Sequence, residues 1–392
     1  MGSWFERVMW AMAAAQAARF AWGAYQRRQL EPVVPKPMPD PDREYPPVSI
    51  IVPARNEAQT ITRCLEGLRA QHYPELEIIV VDDRSEDGTG ELVRHQAAQD
   101  PRLRLVEGAP LPPGWVGKCW ALHQGAQVAR GQWLLFVDAD TRLEPGAVTG
   151  AIDAARERAV AVFSALTRQE LPTIWERIVQ PAVFSALAEA LPISLVNDPR
   201  WPQFALANGQ FLLVRRDAYD GIGGHAAVRA EIAEDAQLAR RAKQLRWRYW
   251  LADGRALAST RMYRSPGALW EGWTKNLHTG MQLVPWLVPP GTALLVASLI
   301  SPYAGLLAAR RRRSPSLALA AAVQLAAQLG VRRLTDRMLG VPPVYTLAQP
   351  LGQLAFLALL TASFYKVLTG RGVTWKGRRY LASPSGAPIA AC

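Results

Sequence analysis

From Val48 onward, short runs of aliphatic and β-branched residues alternate with longer stretches in which apolar positions recur every three or four residues. Residues 48–52, 78–81, 103–106 and 134–137 predict buried strands, and the stretches beginning near Glu57, Gly88, Lys118 and Pro145 predict the helices between them. Strand and helix in alternation imply an α/β domain built on a doubly wound, mostly parallel sheet. Ligands of such sheets bind beyond the carboxyl ends of the strands, so polar residues that terminate apolar runs are the first candidates for chemistry.

Apolarity of another kind flanks this domain. The first 30 residues are largely apolar and aromatic but include Glu6, Arg7, Gln16 and Arg19, with Arg27 and Arg28 behind them, which predicts a membrane anchor or an interfacial helix. Residues 31–47 are rich in proline and charge and read as a linker. After a domain at 48–282, residues 283–370 form an apolar membrane region. Its first segment, 283–309, holds Pro285, Pro289, Pro290 and Pro302 and is as compatible with a bent or re-entrant form as with a straight span. The second, 317–330, is short for a span, whereas 344–368 is long, nearly uncharged and the clearest transmembrane segment. Arg310 to Arg313 and a basic tail at 371–392, with Arg371, Lys376, Arg378 and Arg379, favour the cytoplasm. The expectation is a multi-pass protein of the cell (inner) membrane with its α/β domain in the cytoplasm. Residues 174–196 mix apolar and aromatic positions with Glu176, Arg177 and Glu189, and read as a membrane-surface helix pair or as core.

The net charge of +12, from 45 Lys+Arg against 33 Asp+Glu, suits phosphate-bearing ligands or an anionic membrane face. The basic residues are dispersed and carry neither zinc-finger spacing nor an aromatic RNA-binding signature, which argues against nucleic acid. Cys64, Cys119 and Cys392 are too widely spaced for a metal pair or a disulfide framework. No G-x-G-x-x-G and no Walker lysine loop follows any strand, so dinucleotide and P-loop readings lose their support. His123 and His278 have no second histidine at metal spacing and read as structural or hydrogen-bonding residues.

Three strand ends carry suggestive residues. The first runs into Pro53-Ala54-Arg55-Asn56-Glu57, a turn with a cation and a carboxylate suited to phosphate and base or sugar groups. The second gives Asp82-Asp83-Arg84-Ser85, with Asp87-Gly88-Thr89 beyond; adjacent acids suit a base N–H or ribose hydroxyls, and Ser85 or Asp87 suits helix capping. The fourth gives Asp138-Ala139-Asp140, where strand alternation sets both carboxylates on one side, within reach of one divalent cation and its diphosphate. Downstream come Asn208-Gly209-Gln210, Gly223-Gly224-His225, and Glu234-Asp235 opening a helix with Leu238 and Leu245 on one face.

Together these motifs resemble the inverting family 2 glycosyltransferases of GT-A fold, across roughly residues 48–280. The resemblance implies that Asp83 contacts the base, with Pro53, Arg55 and Glu57 as the neighbouring wall. It sets Lys118, in Gly117-Lys118-Cys119-Trp120, beside the nucleotide; without it Lys118 reads as a surface lysine. It has Asp138 supporting the nucleotide-sugar, Asp140, with Asp138, holding Mg2+ or Mn2+, and Asp235 as general base with Glu234 as second choice. The Gln-x-x-Arg-Trp motif of processive synthases is missing, and Arg261-Met262-Tyr263-Arg264 and Trp270-Glu271-Gly272-Trp273-Thr274-Lys275-Asn276 stand in that region instead. That departure, together with Pro-Pro-Gly-Trp-Val-Gly-Lys, resembles the hopanoid- and carotenoid-associated members. A UDP- or GDP-sugar donor and a lipid acceptor follow as expectations. Arg264 and Lys275 then suit the diphosphate, and Trp270 and Trp273 a sugar or the membrane interface. The alternatives are a polyisoprenyl-phosphate or polysaccharide glycosyltransferase and a non-catalytic nucleotide-sugar-binding membrane protein.

Overall fold

The computed structural model describes residues 4–283, 288–369, 371–375, 378–381 and 389–390. In chain order its main elements are α1 (Trp4–Arg28), β1 (Val48–Ala54), α2 (Ile61–Arg69), β2 (Leu76–Asp82), α3 (Thr89–Ala97), β3 (Leu103–Glu107) and α4 (Gly117–Val128). Then follow β4 (Trp133–Phe136), β5 (Thr141–Leu143), α5 (Ala147–Glu157), β6 (Val162–Leu166), β7 (Arg168–Gln169), α6 (Ile174–Ala190) and α7 (Ile193–Val196). The rest comprises β8 (Leu212–Arg215), α8 (Arg216–Gly221), α9 (Glu234–Gln244), β9 (Tyr249–Asp253), β10 (Ala258–Thr260), α10 (Pro266–Leu283), α11 (Val288–Arg312), α12 (Pro315–Met338) and α13 (Gln349–Leu368). Pro285 and Lys376, both used in the sequence reading, lie outside the described residues. Two compact units emerge: one holds residues 30–170, 193–271 and the tail, the other residues 1–29, 171–192 and 272–369.

In the first unit a seven-stranded sheet has the order β3-β2-β1-β4-β8-β6-β9. Its strands are apolar on both faces, as Ile50, Ile51, Ile78, Ile79, Leu134 and Leu135 are all fully buried, and that is why the sequence shows continuous runs rather than alternation. The chain winds outward from β1 through β2 to β3, then returns to lay β4 on the other side of β1, so the topological switch lies at the carboxyl ends of β1 and β4. Only β8 is antiparallel within this sheet, and it pairs Leu212 with Phe136, so its entering end arrives at the same edge where β4 leaves. That reversal brings residues 208–211 to the switch point, a feature that local periodicity does not encode.

Several sequence expectations need correction. β1 extends through Ala54, so Pro53 is a strand residue paired with Val81 rather than part of the loop. β4 ends at Phe136, and Asp138 and Asp140 occupy the turn that leads into β5, closed by the Thr141 amide donating to the Asp138 carbonyl at 3.0 Å. Strand alternation therefore does not govern their directions. Leu238 is buried as expected, but Leu245 caps the end of α9 and is exposed. Residues 31–47 do not behave as a free linker. Val33 and Asp253 join by backbone, the Lys36 amide donates to the Gly146 carbonyl, and Lys36 and Arg43 both reach the buried Asp153. Glycine is required beneath this strap, since a Cβ at Gly146 would lie 2.3 Å from the Lys36 carbonyl oxygen and one at Gly150 2.3 Å from that of Val34.

In the second unit, α11, α12 and the 343–368 segment are each long and apolar enough to cross a membrane. The 317–330 stretch thus belongs to a full 24-residue helix, extended by Ser314 capping the amide of Leu317 and by polar residues that periodicity counts against a span. α1 is no isolated anchor. Its Met9, Ala13 and Gln16 are buried, Met9 and Ala13 in one cluster with Ala309, Leu317 and Ala320. Gln16 explains itself there: Gln328 donates to it at 2.9 Å, it donates to Gln324 at 3.3 Å, and Gln324 also accepts from Ser301 and donates to the Met9 carbonyl. Such amide networks hold helices together where apolar burial provides little driving force between them.

α6 is opened by a capping box between Thr173 and Glu176 and interrupted by Pro181. Proline lacks the N–H that would bond the carbonyl four residues back, which here is Arg177. The wholly buried Arg332 of α12 supplies the missing donor, its guanidinium reaching the Arg177 carbonyl at 2.6 Å and that of Ile178 at 3.1 Å. Its charge is matched by the equally buried Asp336 at 2.7 Å, whose other oxygen accepts from Thr346 at 2.8 Å. Gly352 lets α13 approach, as a Cβ there would sit 2.7 Å from the Ile178 carbonyl oxygen. Arg332→Met leaves Asp336 buried and alone, which costs about 3–5 kcal/mol. Denaturant titration of the full chain in detergent should register that loss. Adding Pro181→Ala and Asp336→Asn, which return the helical donor and remove the stranded charge, should recover most of it.

Candidate active site

The loops that leave β1 and β2 are laced together. Asn56 donates from its backbone to Ser85 Oγ at 3.0 Å, accepts from the Glu86 amide at 2.9 Å, and adopts the left-handed conformation at φ 52°. Glu57 donates from its backbone to Thr89, and Ala58 to Asp87. Asp82 is consumed by the turn, accepting from both the backbone and the hydroxyl of Ser85. Asp83 follows just beyond the carboxyl end of β2. It is 4% exposed, its amide donates to the Ala54 carbonyl, and Arg55 lies over it, donating to its backbone carbonyl at 2.7 Å with the carboxylate 4.0 Å away. Burial works against Asp87, but hydrogen bonds from Thr89 and the Ala58 amide outweigh it and hold that carboxyl below its usual range.

α4 begins at the same edge, tied down by the Val116 amide donating to the Arg229 carbonyl at 2.7 Å. In its first turn Lys118 projects its ammonium between two acids, 2.7 Å from Asp138 and 2.8 Å from Glu234. Desolvation disfavours the ammonium here, but Asp138, Glu234 and Asp235 together hold its pKa well above the usual lysine value, so it stays charged. Asp235 follows Glu234 in the first turn of α9. Its Oδ2 accepts from the Gly209 amide at 2.7 Å and its Oδ1 from the Ala236 amide at 2.7 Å. Burial raises the pKa of both Glu234 and Asp235, while Lys118 opposes the rise.

These distances answer the sequence expectations residue by residue. Asp138, Glu234 and Asp235 converge on Lys118, and Asp83 with Arg55 occupies the end of β2, one strand removed from β4 across β1. Pro53 and Glu57 flank Arg55 at the end of β1. Asp140 lies two residues beyond Asp138 in the turn, half-buried, and its negative charge helps to raise the buried thiol of Cys64 and the hydroxyl of Tyr263. His225 has no part in the cluster. It is buried against Phe136 with the Tyr219 hydroxyl on Nδ1, and burial pushes it down to about 3, so it is neutral. His123 packs with Trp115 and Trp120, and Trp273 is buried against Phe184 while Trp270 is exposed. The side chain of His278 lies outside the described residues.

Gly209 is the participant whose role the sequence hid, its only signal being a glycine between Asn208 and Gln210 ahead of a strand. A Cβ there would stand 2.9 Å from Lys118 Nζ and 3.3 Å from Asp235 Oδ2. Gly209→Ala should therefore displace the ammonium rather than disrupt the fold. Activity should fall at least tenfold, about 1.4 kcal/mol of barrier, with the thermal midpoint unchanged.

Among the described residues no three His, Cys, Asp or Glu side chains form a ready-made metal cage. Asp140 and Asp138 offer hard oxygen donors at the rim instead. One or two carboxylates completed by diphosphate oxygens and water is the donor set that Mg2+ and similar hard cations take beside nucleotides, so these residues fit such an ion.

Residues 49–234 match the family described as Glycosyl transferase family 2. Over 342 residues, 85% of this chain and 88% of the relative, the sequence is 27% identical to 4,4'-diaponeurosporenoate glycosyltransferase of Staphylococcus aureus (strain USA300). Over 253 residues, 62% of this chain and 66% of the relative, it is 26% identical to the protein of that name from Staphylococcus haemolyticus, a match just under two thirds of that relative's length. Among solved structures it is similar to the mannosyltransferase PcManGT from Pyrobaculum calidifontis in complex with GDP-Man and Mn2+, with a TM-score of 0.52 over 92% of this chain and 99% of that one at 22% identity. That last likeness is one of fold, the GT-A fold.

Proposed function

We propose, for a chain that carries a glycosyl transferase family 2 domain and is thereby a glycosyltransferase, that it moves a single hexose from a UDP- or GDP-sugar to an isoprenoid, carotenoid or hopanoid lipid, with inversion. The observation that carries this reading is the Lys118 bridge, which joins Asp138 beyond β4 to the first turn of α9 through one side chain. A lipid acceptor is supported by the diaponeurosporenoate relatives and by three helices apolar enough to cross a bilayer. The fold neighbour bound to GDP-Man and Mn2+ supports a nucleotide diphosphate donor. The catalytic domain then works on the cytoplasmic face of the inner membrane.

In this reading Asp83 takes the base, with Pro53, Arg55 and Glu57 as the adjoining wall, and Asp138 supports the sugar end of the donor. Asp140, with Asp138, holds Mg2+ or Mn2+, which when bound supplies positive charge for the departing diphosphate. Asp235 accepts the proton of an acceptor hydroxyl as that oxygen bonds the anomeric carbon and the bond to the diphosphate breaks on the opposite face. Two backbone amides fix its carboxylate without satisfying all its lone pairs, whereas Glu234 is held by Lys118. That division of labour favours Asp235 as base over Glu234.

Membranes incubated with radiolabelled UDP- and GDP-sugars and metal, then extracted for lipid, test the reading. Asp140→Ala should abolish labelling; intact labelling would refute the metal assignment. Asp235→Asn should slow transfer to a lipid alcohol about 100-fold or more, the size of a lost general base, and slow transfer to an already ionised carboxylic acceptor far less.

Acidity provides an independent check. Burial holds Asp235 above the usual carboxylate range, and the base acts only when ionised. Transfer to an alcohol is therefore complete above that raised value and lost as pH falls through it. Lys118→Met removes the charge that opposes the rise, so the acid limb of the rate profile should move to still higher pH.

A further inference from the structure

Lys243 lies in the last turn of α9, is 3% exposed, and directs its ammonium at three backbone carbonyls: Leu195 at 3.1 Å, Val196 at 2.9 Å and Trp201 at 2.8 Å. Among the described residues no carboxylate shares those contacts. Asp198, the nearby acid, is taken up by Arg200. A buried ammonium without a direct counter-ion is expensive, and burial indeed lowers Lys243 to about 8, with Asp198 opposing. Two of the three carbonyls belong to the last turn of α7, where helical donors run out, and the third belongs to the loop beyond it. One side chain thus gathers a segment that has little regular structure of its own.

The far end of that segment is held by the opposite end of the same helix. The chain passes from Trp201 through Phe204, stacked edge-on at 6.5 Å, to Leu206, whose carbonyl accepts from Tyr249, and then to Gly209 on the carboxylate of Asp235. Asn197 pins the start of the segment by exchanging two hydrogen bonds with the backbone of Leu251. α9 therefore grips residues 195–209 with Asp235 in its first turn and Lys243 in its last. Along the segment Trp201 is 43% exposed.

We infer that Lys243 is a positioning residue for the acceptor side of the reaction: by fastening residues 195–201 it fixes the segment that ends on Asp235 and presents Trp201 and Phe204 to the apolar chain of the acceptor. This rests on the proposed transferase function. Lys243 makes its contacts at the end of α9 opposite Asp235, so its loss should separate the two substrates.

The test uses the full-length protein in nanodiscs, geranylgeraniol as the acceptor probe, and UDP-glucose and GDP-mannose as donors. Lys243→Met should raise the acceptor KM at least tenfold while leaving nucleotide diphosphate affinity within twofold of wild type. It should also speed amide hydrogen exchange across residues 195–209 and not in the central strands. Lys243→Arg, which keeps donors for the carbonyls, should recover part of the loss. Trp201→Ala preserves the carbonyl that Lys243 holds and should raise the acceptor KM alone, which keeps the test alive if Lys243→Met fails to fold. An unchanged acceptor KM in Lys243→Met and Trp201→Ala, or an equal fall in nucleotide affinity, overturns the inference. If wild type glycosylates no lipid but the methionine variant still loosens residues 195–209, the transferase reading fails and the fastening stands.

Discussion

One ammonium ion organises this molecule's chemistry. Asp138 and the adjacent pair Glu234-Asp235 arrive from two separate parts of the chain, and three carboxylates so close together would repel one another or take up protons. Lys118 opposes the rise that burial imposes on Glu234 and Asp235 and pairs with Asp138, and the fold around it supplies the approach. β4 delivers Asp138 at its carboxyl end, the reversed β8 delivers Gly209 at its start, and α4 and α9 both point their first turns at the same spot. Two helix N-termini also bring partial positive charge to a cluster that is otherwise acidic.

Much of this was legible in the sequence, because strands and acidic strand ends are local signals. The runs that became β1 to β4 were found within two residues of their ends, since doubly buried strands leave unbroken apolar stretches. Asp83 and Asp138 stand out because carboxylates at the end of apolar runs need a reason to be there, whereas Asp235 opens a helix and is marked only by the family resemblance. What was hidden depends on partners far away in sequence. The reversal of β8, the amide of Gly209 on Asp235 and the bridging role of Lys118 become visible only when residues distant in sequence meet. Lys118 is instructive, because without the family resemblance nothing local separates it from an ordinary surface lysine.

In the flanking regions polar residues are spent on packing. Proline and charge in residues 31–47 suggested a spacer, but Lys36 and Arg43 find Asp153 and the prolines follow a track cleared by Gly146 and Gly150. Polar residues in α1 and α12 suggested a marginal anchor and a short span, yet Gln16, Gln324 and Gln328 are spent on one another inside the bundle. Hydropathy counts polarity as a cost wherever it occurs, whereas a buried amide whose hydrogen bonds are made costs little.

The Pro181 interruption and the guanidinium that mends it have a consequence for how such a chain can drift. While the proline is present, loss of Arg332 exposes a bare carbonyl and a solitary Asp336 in an apolar interior. If alanine replaces the proline first, the helix recovers its own hydrogen bond and the arginine becomes less necessary. Change at these positions is therefore ordered: both the proline and the charge of Asp336 must go before the arginine can be lost without cost.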